Sequence, residues 1–159
     1  MEVLIQNLDL VAVLVLLVVG YVAGSWAERR HYRSIRAREQ TLLGMPSVTW
    51  EEEFAPGEIL GARLVQGSAV ISIDYFKRLL AVLRNLFGGP VKSYESLVDR
   101  ARREALLRMK EEAVRQGASM VINVRLETSA IGQSANRRGQ VGSVEVIAYG
   151  TAITRRNGP

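Results

Sequence analysis

The sequence predicts an α+β fold, a small antiparallel sheet with two helices, preceded by one transmembrane helix. Three observations carry this prediction: an uncharged apolar run near the amino terminus, two segments of helical periodicity in the middle of the chain, and segments rich in apolar and β-branched residues before and after them. The order strand, helix, helix, strand, strand is typical of a small α+β layer. A sheet of so few strands leaves edges that need covering, and association between subunits would cover them.

The apolar run covers residues 10–27, which carry no charge. A helix of about 17–25 apolar residues crosses a membrane, and in lipid only a helix satisfies the backbone of a single segment. A cleaved signal peptide begins with basic residues, whereas Glu2 and Asp9 precede this run and no Lys or Arg does. We therefore expect an uncleaved anchor over residues 1–28. Gly20 and Gly24 form a G-x-x-x-G pair that would let such helices pack closely.

A basic segment follows the anchor. By the positive-inside rule, it places the amino terminus outside and the remaining chain in the cytoplasm, as expected for a single-pass protein of the inner or plasma membrane. We expect its arginines to contact anionic headgroups, which explains much of the net charge of +5 without a nucleic-acid partner. His31 lies in this segment and is predicted to contact a headgroup rather than a metal. The arginines of this membrane-surface group are Arg29, Arg30, Arg33, Arg36 and Arg38.

The segment between the anchor and the domain is predicted to be a juxtamembrane linker over residues 29–54. Pro46, Pro56 and Gly57 indicate a hinge over residues 41–57, which overlaps the end of this linker and the start of the domain. The adjacent carboxylates at residues 51–53 are predicted to be a solvated turn, because neighbours in sequence do not converge on one cation.

The first strand is predicted over residues 58–71, either as one long interrupted strand or as a strand pair. Gly61 and Gly67 inside it indicate bulges or the close approach of another part of the backbone.

Two helices are predicted next. Residues 74–87 have helical periodicity and end at the breakers of residues 88–90. The second helix is predicted to run from Ser93, as its cap, to Gln116, with Gly117 as its stop. Its apolar stripe contains small side chains that would let the helix lie close to a sheet: Tyr94, Leu97, Val98, Ala101, Ala105, Met109 and Ala113.

Two strands complete the predicted domain. Residues 120–127 alternate between apolar and polar positions, which predicts a strand with one polar face. A polar loop follows over residues 132–142. Residues 143–155 are apolar on both faces of the last strand, so we expect both faces to be covered. The domain is therefore expected to span residues 55–156, with a tail at residues 157–159.

Seven short blocks of the domain occur in register: Gly57-Glu58-Ile59-Leu60-Gly61, Gly67-Ser68-Ala69-Val70, Leu86-Phe87-Gly88-Gly89, Ser93-Tyr94-Glu95, Ala101-Arg102 with Ala105-Leu106, Gly117-Ala118-Ser119-Met120-Val121-Ile122, and Tyr149-Gly150-Thr151-Ala152-Ile153. In this order they resemble the YbjQ family of bacterial and archaeal proteins, which is often labelled heavy-metal-binding. The resemblance covers residues 55–156.

The resemblance implies a dodecin-like α+β fold assembled as a homopentamer, in which neighbouring subunits complete each other's sheets, and it implies no established activity. The chain departs from the family pattern in residues 90–92, which replace the usual arginine, in a longer basic loop at residues 133–140, and in its anchor. The candidate residues for an oligomer interface or a ligand are Gly88, Gly89, Lys92, Ser93, Tyr94 and Glu95.

Composition argues against a soft-metal site and against most catalysis. The chain has no Cys and one His, whereas soft metals need converging thiolate, thioether or imidazole ligands. Neither a phosphate loop, a dinucleotide-binding fingerprint, a nucleophile elbow nor an H-E-x-x-H motif occurs in the sequence. We therefore predict that the protein is not an enzyme and has no catalytic residues, metal or cofactor.

Two functions remain open at this point. The preferred one is a membrane-anchored, homo-oligomeric binding or scaffold module, whose several anchors would add avidity for the membrane. The alternative is a small-molecule or ion-binding protein with sites at subunit interfaces near residues 88–94. Nucleic-acid binding through Arg137 and Arg138 or through Arg155 and Arg156 is not expected, because no aromatic side chains are interleaved with these pairs.

Overall fold

The structure is a computed structural model that describes residues 2–50, 53–72, 93–131 and 143–156. These residues form two helices and a three-stranded antiparallel sheet, so the predicted α+β class is confirmed. The predicted helix over residues 74–87 and the predicted loop over residues 132–142 lie outside the described residues. The elements in chain order are α1 (Glu2–Thr41), β1 (Ile59–Ser72), α2 (Ser93–Arg115), β2 (Met120–Ile131) and β3 (Ser143–Arg155).

The chain divides into two compact units. The described part of the first unit is residues 2–33, and the second unit holds the described residues from Ser34 onward. In the first unit, residues 10–27 of α1 are uncharged, and side chains such as Leu10, Val19 and Trp26 are more than half exposed. Among the described residues, this helix is the one segment that is long and apolar enough to cross a membrane. Arg30 lies over the ring of Trp26, 5.6 Å from its centre.

The sheet has the strand order β1-β3-β2, and both pairs are antiparallel. The last strand has the predicted bounds. Residues 59–72 form one long strand rather than a strand pair, with a register shift between Ile59 and Gly61, as the glycine there predicted.

The strict alternation predicted for β2 is wrong. The register shifts between Ile122 and Arg125, where two residues of β2 stand opposite one residue of β3, and Asn123 adopts a positive φ of 53°. An extra residue reverses the faces of the side chains that follow it. Leu126, which follows the shift, is 43% exposed although the alternation predicts it on the apolar face. Val121, which precedes the shift, is buried although the alternation predicts it on the polar face, because β2 packs on both of its sides there.

Helix α2 packs on one face of the sheet, mainly against β1 and β3. The small side chains of its predicted stripe allow this close contact: Ala101, Ala105 and Ala113 are buried. A Cβ at Gly67 would lie well inside the 3.0 Å that real Cβ atoms keep from the backbone of Ala105 and Met109. The close approach predicted at this glycine is therefore confirmed.

The helix ends within one residue of its predicted end. Gly117 has a φ of 72°, which a glycine adopts without strain, and its N–H donates to the carbonyl of Val114 at 2.9 Å. Ala118 donates to the carbonyl of Ala113 at 3.0 Å. The predicted stop at Gly117 is thus confirmed by its conformation.

The predicted hinge contains a segment that is bound to the sheet. Residues 46–50 run beside β2: the N–H of Val48 donates to the carbonyl of Val121 at 2.9 Å, and the N–H of Val121 donates to the carbonyl of Pro46 at 2.9 Å. Val48 also packs with Phe54 and Ile59 on a buried cluster of the outer sheet face, formed by Met120, Ile122 and Ile153. Backbone pairing and apolar burial therefore hold this segment in place.

The outer face of the sheet, opposite α2, is covered only in part by the described residues. At one end of this face, Ile153 is covered by Val48 and Phe54. Elsewhere Leu64 is 71% exposed, Val70 is 55% exposed and Ile147 is 38% exposed. Among the described residues α2 covers one face of the last strand, so the expectation that both faces are covered stays a prediction.

Candidate functional site

The sequence placed its ligand or interface candidates around the start of α2. Gly88, Gly89 and Lys92 lie outside the described residues. Ser93 and Tyr94 begin α2, and Glu95 is an exposed acidic residue in its first turn. The structure therefore gives no geometry for a site at residues 88–95, and the candidates remain predictions.

The arginines of the basic segment differ in their exposure to solvent. The first four arginines of the membrane-surface group are exposed, while Arg38 is partly buried. Its guanidinium donates hydrogen bonds to Glu104 and, at 3.4 Å, to Glu111, both on α2. Arg38 was expected at a membrane surface, but its partners in the structure are carboxylates of the folded domain.

The last two turns of α1 pack on α2 through a small apolar cluster. Ile35, Leu42 and Leu107 are buried together. Ile35 and Leu42 are seven residues apart, which places both on one side of a helix. Residues 34–42, within the predicted linker, therefore form an amphipathic docking segment.

Ion pairs flank this apolar cluster. Glu39 accepts two hydrogen bonds from Arg103, both at 2.7 Å, in the two-pronged geometry that makes Arg–carboxylate pairs specific. Burial lowers the pKa of Lys110, and the charge of Glu39 partly opposes that shift. The α1–α2 contact thus combines three apolar side chains with several charge pairs.

Glu104 is the buried centre of the contact, with 4% of its surface exposed. Arg38 binds its Oε2, and Nε of Arg108 donates to its Oε1 at 2.9 Å. Burial alone would raise the pKa of Glu104, but the hydrogen bonds and charges of the two arginines outweigh burial and hold that pKa below its ordinary value. The buried carboxylate is therefore charged and held between two guanidinium groups.

Arg108 also reaches the sheet, because its Nη1 donates to the carbonyl oxygen of Ser68 on β1 at 2.8 Å. One chain of contacts therefore runs from Arg38 on α1 through Glu104 and Arg108 on α2 to Ser68 on β1. We call these four residues the relay.

Sequence reasoning missed the relay. The charges of α2 are typical of a solvated helix face, and the docking segment lies more than sixty residues before them in the chain. A usable signal was present in residues 35–42, where Ile35 and Leu42 bracket Arg38 and Glu39 at helical spacing.

Among the described residues, the outer edge of β1 is a long strand edge. In the sheet order β1 is a terminal strand of 14 residues, and within the described part of the chain it pairs with β3 alone. The exposed Leu64 and Val70 lie on it. A long edge strand with exposed apolar side chains is a template for pairing with another chain.

A shallow cleft of about 300 Å³ lies where α1 and α2 both end. Its lining is mainly apolar and includes Leu42, Met45, Val114 and Ala118, with Arg155 at its edge. The guanidinium of Arg155 is already engaged, 5.3 Å from the ring centre of Phe54 and 3.5 Å from a carboxylate oxygen of Glu58. The cleft is at the small end of the range for ligand pockets and does not define a ligand.

No group of three His, Cys, Asp or Glu side chains converges on a possible metal position among the described residues. The donors that the described contacts bring together are instead carboxylates paired with arginines, as at Glu104 and Glu39.

Comparisons with known proteins give one consistent result. Residues 56–156 match the model of the YbjQ family, whose description is "Putative heavy-metal-binding". A UPF0145 protein of Hahella chejuensis is 44% identical over 90 residues, which are 57% of this chain and 79% of that protein. A UPF0145 protein of Methanococcus maripaludis is 39% identical over 114 residues, which are 70% of this chain and 93% of that protein.

Among solved structures, a protein of unknown function from Pediococcus pentosaceus, assigned to the DUF74 family, aligns with a TM-score of 0.43 at 16% sequence identity. The alignment covers 70% of this chain and 98% of that one.

Proposed function

The chain belongs to the YbjQ family of UPF0145 proteins, and from this premise we propose that it is a membrane-anchored, homo-oligomeric binding or scaffold module without enzymatic activity. In this proposal α1 is a single-pass anchor in the inner or plasma membrane, with its amino terminus outside. Several domains, five by the family resemblance, form a ring on the cytoplasmic side. The observation that carries the proposal is the long, apolar outer edge of β1.

The character of α1 supports the anchor. None of its most apolar 18-residue window is buried among the described residues, which is what an anchor that faces lipid requires. The exposed arginines that follow the apolar run favour the cytoplasmic side of the membrane. The contact of Arg30 with the ring of Trp26 is typical of the headgroup region, where amphipathic rings are favoured. A lipid bilayer is the environment that would cover these side chains.

The sheet supports the oligomer. An unpaired strand edge and exposed apolar side chains on the same strand are features that soluble proteins usually cover. Leu64, Val70 and Ile147 lie on the outer face that α2 leaves open. Pairing of subunits along β1 would satisfy its backbone groups and would bring partner side chains beside Leu64 and Val70 in one step.

The donor set does not fit the heavy-metal label of the family. The chain has no Cys, and its one His lies in α1 rather than among the residues that match the family model. Soft metals need thiolate, thioether or imidazole ligands that converge, and the carboxylates of Glu104 and Glu39 are paired with arginines. We therefore propose a module that does not depend on a heavy metal.

The test is the mass of the full chain in detergent micelles by light scattering. We expect a homo-oligomer, and a monomer would contradict the proposal. Leu64→Lys places a charge on the outer face beside the β1 edge and should shift the protein toward monomer. Leu43→Lys is the matched control, because Leu43 is also highly exposed but lies outside the sheet.

Orientation has a separate test in spheroplasts. A protease added outside should leave the carboxyl-terminal domain intact, since the arginines place it in the cytoplasm. Removal of the domain from intact spheroplasts would show the opposite orientation and would leave the oligomer proposal standing.

A further inference from the structure

We propose that docking of α1 on α2 orders the edge strand β1 through the relay, so that Arg38 acts as a positioning residue for the strand on which subunits pair. The contacts are Arg38 to Glu104, Glu104 to Arg108, and Arg108 to the carbonyl of Ser68. The effect on β1 needs only these contacts. The effect on assembly rests on the proposed function.

The relay acts as a unit because Arg108 divides its guanidinium between two acceptors. Its Nε binds Oε1 of Glu104, and its Nη1 binds Ser68. Arg38 meanwhile binds the second oxygen of the same buried carboxylate. If Arg38 is removed, Oε2 of Glu104 loses a charged donor in a place where water has little access. An arginine forks a carboxylate through Nε and Nη2, as Arg103 does at Glu39, so the guanidinium of Arg108 turns to bring its Nη2 to that oxygen. This turn draws its Nη1 away from the carbonyl of Ser68.

Ser68 lies beside a close contact between β1 and α2. Its neighbour Gly67 has no room for a Cβ against the backbone of α2, and the Cβ of Arg108 forms part of the same contact. In the sheet, Ser68 stands opposite Ile147 near the middle of the strand pair. Arg108 therefore holds the centre of an edge strand that has a neighbouring strand on one side within the described chain.

An ordered edge strand assembles more readily than a fraying one, because pairing then has less chain entropy to overcome. The anchor helix would thus favour subunit pairing from a distance, without touching the partner. Anchoring and assembly become linked in one chain, and a domain whose α1 is undocked should assemble more weakly.

Hydrogen exchange on the full chain in detergent micelles, read by mass spectrometry, tests the relay directly. Arg38→Ala should speed exchange in a peptide from the centre of β1 by about fivefold, while a peptide from β3 stays unchanged. Arg108→Ala should have the same effect, and the double variant should add little to Arg108→Ala alone, because both changes act on one chain of contacts.

The matched control is Glu39→Ala, which removes an α1–α2 ion pair of two 2.7 Å hydrogen bonds without removing a member of the relay. Its β1 peptide should exchange as in the wild type. Three outcomes would each overturn the inference. Glu39→Ala could speed exchange as much as Arg38→Ala does, or the effects of Arg38→Ala and Arg108→Ala could add. The third is that Arg38→Ala leaves exchange in β1 unchanged. If Arg38→Ala does not fold, Arg38→Lys decides, since a lysine keeps the charge but lacks the fork, and it should speed exchange by a smaller factor.

Assembly is read on the same samples by light scattering over a dilution series. Arg38→Ala should dissociate at roughly tenfold higher protein concentration than the wild type, and Glu39→Ala should not. If the wild type is a monomer, the proposed function is refuted, but the exchange data still test whether the relay orders β1. An oligomer with unchanged β1 exchange in Arg38→Ala would refute the relay alone.

Discussion

Helix α2 buries two sides, and they are built on different principles. Toward the sheet it presents Ala101, Ala105 and Ala113, which bring its backbone against Gly67 of β1. Toward α1 it presents Glu104 and Leu107, with arginines around the carboxylate. The sheet side is specified by the absence of side-chain volume, and the α1 side by the pairing of charges. The first should therefore be sensitive to size and the second to charge.

The largest effect should come from adding volume on the sheet side. Gly67→Ala places a Cβ against backbone atoms of Ala105 and Met109, which cannot move as a flexible side chain would. We expect a loss of about 3 kcal/mol in the free energy of unfolding, since overpacking of a tight contact costs this much. Urea unfolding of the full chain in micelles, followed by circular dichroism, measures it.

Gly61→Ala is the control for this change, because nothing lies within 4 Å of a Cβ built there. It should alter the free energy of unfolding by less than about 0.5 kcal/mol. If both glycine variants lowered the free energy of unfolding equally, β1 would need glycine for its backbone conformation alone. Lack of space for a side chain would then not explain the sheet side of α2.

The second effect should come from removing charge on the α1 side. Glu104→Gln keeps the shape of the side chain but weakens its bonds to Arg38 and Arg108. We expect a loss of about 2 kcal/mol at neutral pH, the usual range for a hydrogen bond to a charged group. Glu111→Gln is the matched control, because Glu111 is about one-third exposed and its contact with Arg38 is longer, at 3.4 Å. It should cost less than about 1 kcal/mol.

The difference between wild type and Glu104→Gln should depend on pH. The arginines lower the pKa of Glu104 in the folded chain, so its contribution to stability is complete above the ordinary glutamate value of about 4.3. The contribution is lost as the pH falls through the lowered pKa. Unfolding curves of the two proteins should therefore converge in acid. A constant difference from neutral to acidic pH would show that the arginines do not depend on the charge of Glu104.

The same contrast explains what could be predicted from the sequence. The sheet side of α2, the bounds of β3 and the close approach at Gly67 follow from local patterns of small, apolar and glycine residues. The α1 side could not be predicted in this way, since Glu104 lies among charged residues that are typical of a solvent-facing helix, and its partner segment is distant in sequence. Its burial is a tertiary effect.

The bulge in β2 escaped prediction for a related reason. Asn123 tolerates the left-handed conformation, but a single Asn in an alternating segment does not by itself indicate an extra residue. For the candidates at residues 88–95, the described structure supplies the start of α2 and no more, so that site stays a prediction.

The smallest effect should come from a charge pair that is not buried. Asp99 lies 3.7 Å from Arg103 on α2, and its side chain is 59% exposed. Asp99→Asn should change the free energy of unfolding by less than about 0.5 kcal/mol, because solvent screens such pairs. The same unfolding assay measures it, with Glu104→Gln beside it. If Asp99→Asn lowered the free energy of unfolding as much as Glu104→Gln, burial would not explain why the charges on the α1 side stabilise the fold. The number of charges alone would then distinguish the two sides of α2.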